Sequence, residues 1–358
     1  MSEERLITRN RSGRGSHSVP WLFVLAVVLL GTVFFVPTPY YVTRPGSAIE
    51  LAPMIDVEGG KKDESGAFML TTVRMGEANL AWYLYAQLSP NAELMKKELV
   101  VGSGESNEDF TRRELAVMDN SQKIAEAVAF RLAGYDVKIE NQGVWVMGTI
   151  EGMPAKNVLQ IGDVIVAVDG RPTREAKDLL QYLSTKKQGD QVEVTLIRDG
   201  REEKRTLTLA PLTDSKTPGL GIRPDNKQEI IVPKQVSISS QGIGGPSAGL
   251  MMTLEIYDQL NQEIDLTRGY KVAGTGTISP DGSVGRIGGI NHKVVAADEA
   301  GADIFLAPDD AEGPVSNYQE ALETAKRIGS RMRVVPVKTV DDALAFLKAQ
   351  KPKGLYSE

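Results

Sequence analysis

The chain has 358 residues, 41% hydrophobic and 25% charged, with a formal charge of −6. This is ordinary globular usage, long enough for two or three domains, and the negative balance argues against nucleic acid as the main partner. With no cysteine and only two histidines, His17 and His292, it can build neither a thiolate centre nor a His-rich metal site, and any hydrolytic base is expected to be something other than imidazole.

Arg5, Arg9, Arg11 and Arg14 precede "VPWLFVLAVVLLGTVFFVPTPYYV", which carries no charge from residue 19 to 42. Its core over 21–36 is short for a bilayer that asks for about 20 apolar residues, but uncharged flanks make up the length. Trp21, Tyr40 and Tyr41 stand where interfacial aromatics belong, and no small-x-small cleavage pattern follows. The expectation is a cytoplasmic tail over 1–18, an uncleaved single-pass transmembrane anchor over 19–37, and the remainder outside the cell.

Residues 43–66 read as irregular, with "KKDESG" as a solvated loop. "AFMLTTVRM" and "ANLAWYLYAQL" read as two strands or a strand and a short helix. "NEDFTRRELAVMDNSQKIAEAVAFRLAG" is a long helical pattern stopped near Gly134. The periodicity then changes: "GVWVMGTI" alternates as a strand, "LQIGDVIVAVDG" follows, "REAKDLLQYL" is helical, and a hairpin turns at Asp199-Gly200.

That order, and "GDVIVAVDG" above all, resembles a PDZ domain of the bacterial protease-associated type, placed over 138–212. The resemblance implies binding of extended peptides or chain termini by strand addition, or a domain that only spaces or gates its neighbour. Gly143, Val144, Trp145 and Val146 are the nearest candidates for the groove, although Trp145 reads equally well as core. Asp163 and Asp169 read as turn and cap residues rather than a glycosidase carboxylate pair.

From 213 to 350 strands and helices alternate, and the chemistry gathers around "GIGGPSAG" at 242–249. It is not a P-loop, which needs G-x-x-x-x-G-K-[ST]. The glycine-serine loops of GHMP-type kinases are closer, but a domain outside the cell meets almost no ATP. As a nucleophile at a helix start, Ser247 would sit near unpaired N–H groups able to hold an oxyanion. The N–H groups around 246–248 are candidates, with Gly244, Gly245 and Ala248 supplying the donors. Lys293, in the apolar "INHKVVAADEAG", can be the base if burial lowers its pKa by roughly 3 units from about 10.4. His292 lies about 100° around the same helix. Gly282 and Gly285 read as turns and Lys271 as solvated.

"GGPSAG" followed by Gly288-Gly289-Ile290-Asn291-His292-Lys293 resembles the proteolytic domain of Lon proteases. The anchor, PDZ and Lon-type domain together resemble the membrane-anchored PDZ-containing Lon-like serine proteases of Gram-positive bacteria. The resemblance implies an α/β (α+β) Lon-type fold interrupted by the PDZ, with residues 38–137 as the N-terminal part of the catalytic region. It also implies a Ser247-Lys293 dyad, with Thr275 of Thr275-Gly276 orienting the lysine. No metal, nucleotide or other cofactor is implied; peptide or protein substrates and a hexameric ring are. An acidic residue often stands three before the Lon serine, where this chain has Gly244, and no ATPase motif is present. The alternative is a non-catalytic PDZ receptor on a Lon-like scaffold.

Overall fold

The computed structural model describes residues 18–62, 65–101, 105–212, 217–240, 242–261 and 263–354, so the tail expected over 1–18 lies almost wholly outside them. Helix α1 (Ser18–Phe35) is uncharged, and Trp21 and Phe35 stand 75% and 87% exposed. It stops short of the expected span, because Pro37 opens a strand, β1 (Pro37–Glu50), and proline cannot continue a helix by donating an N–H. Among the described residues no helix is long and apolar enough to cross a membrane. Tyr40 and Tyr41 are therefore sheet residues; Tyr41 is buried and its hydroxyl donates to Asn107 Oδ1 at 2.7 Å.

Strand β1 also corrects the irregular reading of 43–66. It pairs antiparallel with β2 (Ala67–Asn79), with a register shift between Pro45 and Ala48. At the shift Gly46 lies so close to the partner strand that a Cβ would stand 2.3 Å from Thr72 Oγ1. Asn79 caps α2 (Leu80–Leu88), its side chain accepting from Trp82 N–H. Then come β3 (Glu93–Lys96), the short α3 (Lys97–Val100) and the long α4 (Asn107–Leu132), capped by Ser106.

A second unit follows: β4 (Lys138–Thr149), β5 (Val164–Val168), α5 (Ala176–Leu183), β6 (Gln191–Arg198), β7 (Arg201–Thr208) and β8 (Ile222–Ile231). They form an antiparallel sheet in the order β8-β4-β5-β6-β7. Val144, Ile165, Leu179 and Leu196 belong to its separate core. β8, which lies beyond the boundary expected at 212, pairs with β4 from Ile222↔Thr149 to Ile231↔Lys138. Asp199 at φ 49° and Gly200 at φ 76° make the expected tight hairpin turn. Asp163 is more than a turn residue: its buried carboxylate takes both Nε and Nη2 of Arg198, at 2.8 and 2.6 Å.

The chain then returns to the first unit through α6 (Gly249–Leu260), β9 (Lys271–Gly274), α7 (Ile290–Glu299), β10 (Ile304–Pro308), α8 (Asn317–Ile328), β11 (Arg333–Val337) and α9 (Val340–Lys348). Its sheet runs β11-β10-β9-β2-β1-β3; the pairs from β11 to β2 are parallel, and β1 and β3 are antiparallel. Side chains alternate across it. Phe68, Leu70, Val272 and Leu306 pack with α4, α6 and α9 on one face. Met69, Ala273, Phe305 and Ala307 pack with α7 and α8 on the other. The serine helix and the lysine helix thus lie on opposite faces of one sheet.

Candidate active site

Ser247 sits at the end of a glycine loop that leads into α6, and the loop rests on α4. Gly245 has φ 87°, where a side chain is strained, and its N–H donates to the Glu114 carbonyl at 2.9 Å. Gly244 is pressed on the same turn, since a Cβ there would stand 2.8 Å from Glu114 Cβ. The carboxyl-bearing residue beside Gly244 and Gly245 is Glu114 of α4. Burial raises the pKa of its carboxyl, and Arg113 donates to it at 2.7 Å.

Lys293, in the first turn or so of α7, points through to the serine. Its Nζ lies 2.6 Å from Ser247 Oγ and 3.0 Å from Thr275 Oγ1. Thr275 follows β9, is fully buried, and its hydroxyl donates to the Ser247 carbonyl at 2.9 Å. Lys293 is only 2% exposed, and burial drives its pKa down from 10.5 to about 7. A neutral amine here accepts the Ser247 proton with its lone pair and donates an N–H to Thr275. Thr275 in turn donates to the Ser247 carbonyl, so the two hydroxyl protons and one amine N–H each have an acceptor.

Of the expected oxyanion donors, one is already engaged. Gly245 N–H is taken by Glu114, whereas the N–H groups of Ser247 and Ala248 meet no acceptor among the described residues. Gly244 N–H is likewise without one. Beside Ser247 opens a cavity of about 310 Å³, walled by Ile49, Leu70, Val73, Met118 and Ile243. Its threonines are occupied: Thr71 Oγ1 donates to the Gly274 carbonyl, and Thr72 Oγ1 donates to the Ser47 carbonyl while accepting from Ser47 N–H. The side chains around it therefore present mostly carbon, apart from the serine and lysine, while Gly242, Gly244 and Ala248 add backbone polar groups to its wall.

Other expected residues lie elsewhere. His292 is buried, with Nε2 3.7 Å from Glu93 Oε2 and no hydrogen-bond partner among the described residues; burial lowers its pKa. Lys271 is exposed, and Gly282 turns at φ 85°. Gly285 instead lies in a two-residue strand, where a Cβ would stand 2.4 Å from Thr277 Oγ1. The proposed groove at Gly143, Val144, Trp145 and Val146 is overturned. β4 has β8 on one edge and β5 on the other, Val144, Trp145 and Val146 are buried, and Lys227 Nζ sits 4.0 Å above the Trp145 ring. The edge strand beside α5 is β8.

Glu114, Met118 and Ser121 on α4, with Leu70 and Val73 on β2, escaped the sequence reading. The insertion separates them from the serine loop in the chain. One signal existed: Ser121 is a polar residue in the apolar stripe that also holds Met118, Ala125 and Val128.

Thr275→Val should lower kcat about 10- to 100-fold with KM within twofold, because it frees the lysine amine without touching the cavity. Steady-state kinetics on a flexible peptide check this, and a KM effect alone would deny Thr275 its link to the amine.

Residues 132–209 match the PDZ domain family, and 212–349 match the Lon protease (S16) C-terminal proteolytic domain. The chain is 33% identical over 111 residues to the Lon protease of Neorickettsia sennetsu, covering 31% of this chain and 12% of that one. It is 39% identical over 64 residues to a probable periplasmic serine endoprotease DegP-like of Pseudomonas savastanoi pv. phaseolicola, covering 18% and 13%. A solved PDZ domain of an SdrC-like protein from Listeria monocytogenes shares 31% identity over 24% of this chain and 92% of that one, with TM-score 0.23. The chain spans only 12% and 13% of the length of those two curated relatives. It carries a PDZ domain and a serine-peptidase domain of the Lon type.

Proposed function

We propose that the chain is a serine endopeptidase that works without nucleotide or metal, with Ser247 as nucleophile and Lys293 as general base. The observation that carries this is the amine 2.6 Å from the hydroxyl at 2% exposure, since only a dry lysine is neutral near pH 7. Ser247 Oγ attacks a peptide carbonyl as its proton passes to Nζ. The Ser247 and Ala248 N–H groups hold the oxyanion. Lys293 then gives the proton to the leaving amine, and it takes one from the water that opens the acyl-enzyme.

In this proposal the substrate arrives as a flexible segment. The full chain should cut reduced, unfolded casein with no nucleotide added and leave a tightly folded protein intact; ATP-dependent cutting would sink this reading. The carbon-walled cavity favours an uncharged side chain beside the scissile bond. A carboxylate there would hold Lys293 protonated, and a second cation would meet no acceptor. Mass-spectrometric mapping of the cuts should show Leu, Met or Ala ahead of Asp, Glu, Lys and Arg by at least about 10-fold.

In this proposal β8 is the edge to which a peptide adds as a further strand, beside α5. The uncharged α1, with its exposed apolar side chains, supports anchoring at a cell membrane, and Arg5, Arg9, Arg11 and Arg14 before it favour the peptidase on the outer side. Salt- and carbonate-washed membranes should retain the full chain; recovery in the wash would remove the anchor from the proposal. Assembly into a six-membered ring belongs to the same reading, and mass photometry of the detergent-solubilised chain checks it.

A further inference from the structure

The Pro246 carbonyl accepts twice. Gly249 N–H donates to it at 3.2 Å, and the Ser121 hydroxyl of α4 donates at 3.1 Å. A planar trans peptide points its carbonyl and the next N–H in opposite directions, so whatever fixes the Pro246 oxygen also fixes the Ser247 N–H. Ser121 is 4% exposed, and its Oγ lies 2.9 Å from where a Cβ on Gly249 would stand. The hydroxyl is therefore wedged against the start of α6. Gly245 N–H on the Glu114 carbonyl ties the loop to α4 a second time, one residue before the proline.

We infer that Ser121 is a positioning residue for the peptidase reaction: its bond to the Pro246 carbonyl aims the Ser247 N–H at the oxyanion. The inference rests on the peptidase reading and adds to it a residue from the far side of the PDZ insertion. Ser121 touches neither substrate nor the lysine amine. It acts on the tetrahedral state alone, through one peptide plane.

The test compares Ser121→Ala and Ser121→Cys with the full-length chain, using a flexible fluorogenic peptide and acetyl-Ala-Ala-Leu boronate. The boronate forms a B–O bond to Ser247 as the hydroxyl proton passes to Lys293, giving a tetrahedral anion. Losing an oxyanion donor outright costs about 10² to 10³ in kcat, so losing its alignment in Ser121→Ala should cost about 10- to 100-fold. KM should stay within twofold, the boronate inhibition constant should rise by the same factor as kcat falls, and the acid midpoint of the pH profile should stay where it is. Ser121→Cys, with a weaker donor of similar size, should fall between. If the alanine variant does not fold, the cysteine variant decides alone. Unchanged kcat, a loss confined to KM, or a moved acid midpoint would each overturn the assignment. A wild-type chain that neither cuts peptide nor takes up boronate would instead overturn the peptidase reading.

Discussion

Ser247→Ala is expected to cut hydrolysis of a flexible peptide by a factor on the order of 10⁴ or more, leaving the fold and peptide binding intact. Removing the oxygen removes the covalent route, and nothing nearby can replace it. Thr275 is committed to the Ser247 carbonyl and to Lys293, and its hydroxyl is fully buried. Lys293 keeps Thr275 as partner, so the melting temperature should move by no more than a few degrees. The variant should still retain peptide in an equilibrium binding assay. If it keeps cutting near the wild-type rate, Ser247 is not the nucleophile and the loop is only a corner.

Lys293→Met should be as inactive and yet more stable. Holding this amine at about 7 rather than 10.5 costs the native state roughly 4 to 5 kcal/mol at and below neutrality. Methionine fills a similar volume without that cost. Between about pH 7 and 10.5 the unfolded wild-type chain carries a proton on this lysine that the folded chain does not, so wild-type stability rises with pH across that window. The methionine variant should lack the rise and melt at least about 5 °C higher at pH 7. The wild-type rate should climb with pH through a midpoint near 7 and fall away below it as the amine takes up its proton. A midpoint near 10, or a variant melting lower than wild type, would show that the amine is charged in the native enzyme.

The site was legible in sequence because its two reactive groups carry local signatures: glycines stripped around one serine, and a lysine inside an apolar helix. Thr275 came from the resemblance. What the sequence hid are groups whose role depends on distant pairing. Glu114 and Ser121 reach the serine loop only because α4 packs on α6, with the whole PDZ unit between them in the chain. β1 was missed because Pro37, Pro39, Pro45 and Gly46 break the alternation of a strand, and its partner absorbs the break with a register shift at Thr72. The candidates on β4 stood out because β4 has the stronger strand pattern, yet it is an inner strand; the edge strand β8, rich in charge, lies past residue 212.

The split sheet sets the order in which the molecule can be made. Thr71 of β2 donates to the carbonyl of Gly274, 203 residues further on, and β9 must slot in parallel beside β2. During synthesis the first strands wait for a partner while the inserted unit, with a core of its own, condenses. Contacts this far apart in sequence close late and slowly. A ribosome-bound chain that has exposed Ser247 but not yet Lys293 still lacks the proposed base, so in that reading the chemistry waits until residue 293 has emerged and its helix has docked.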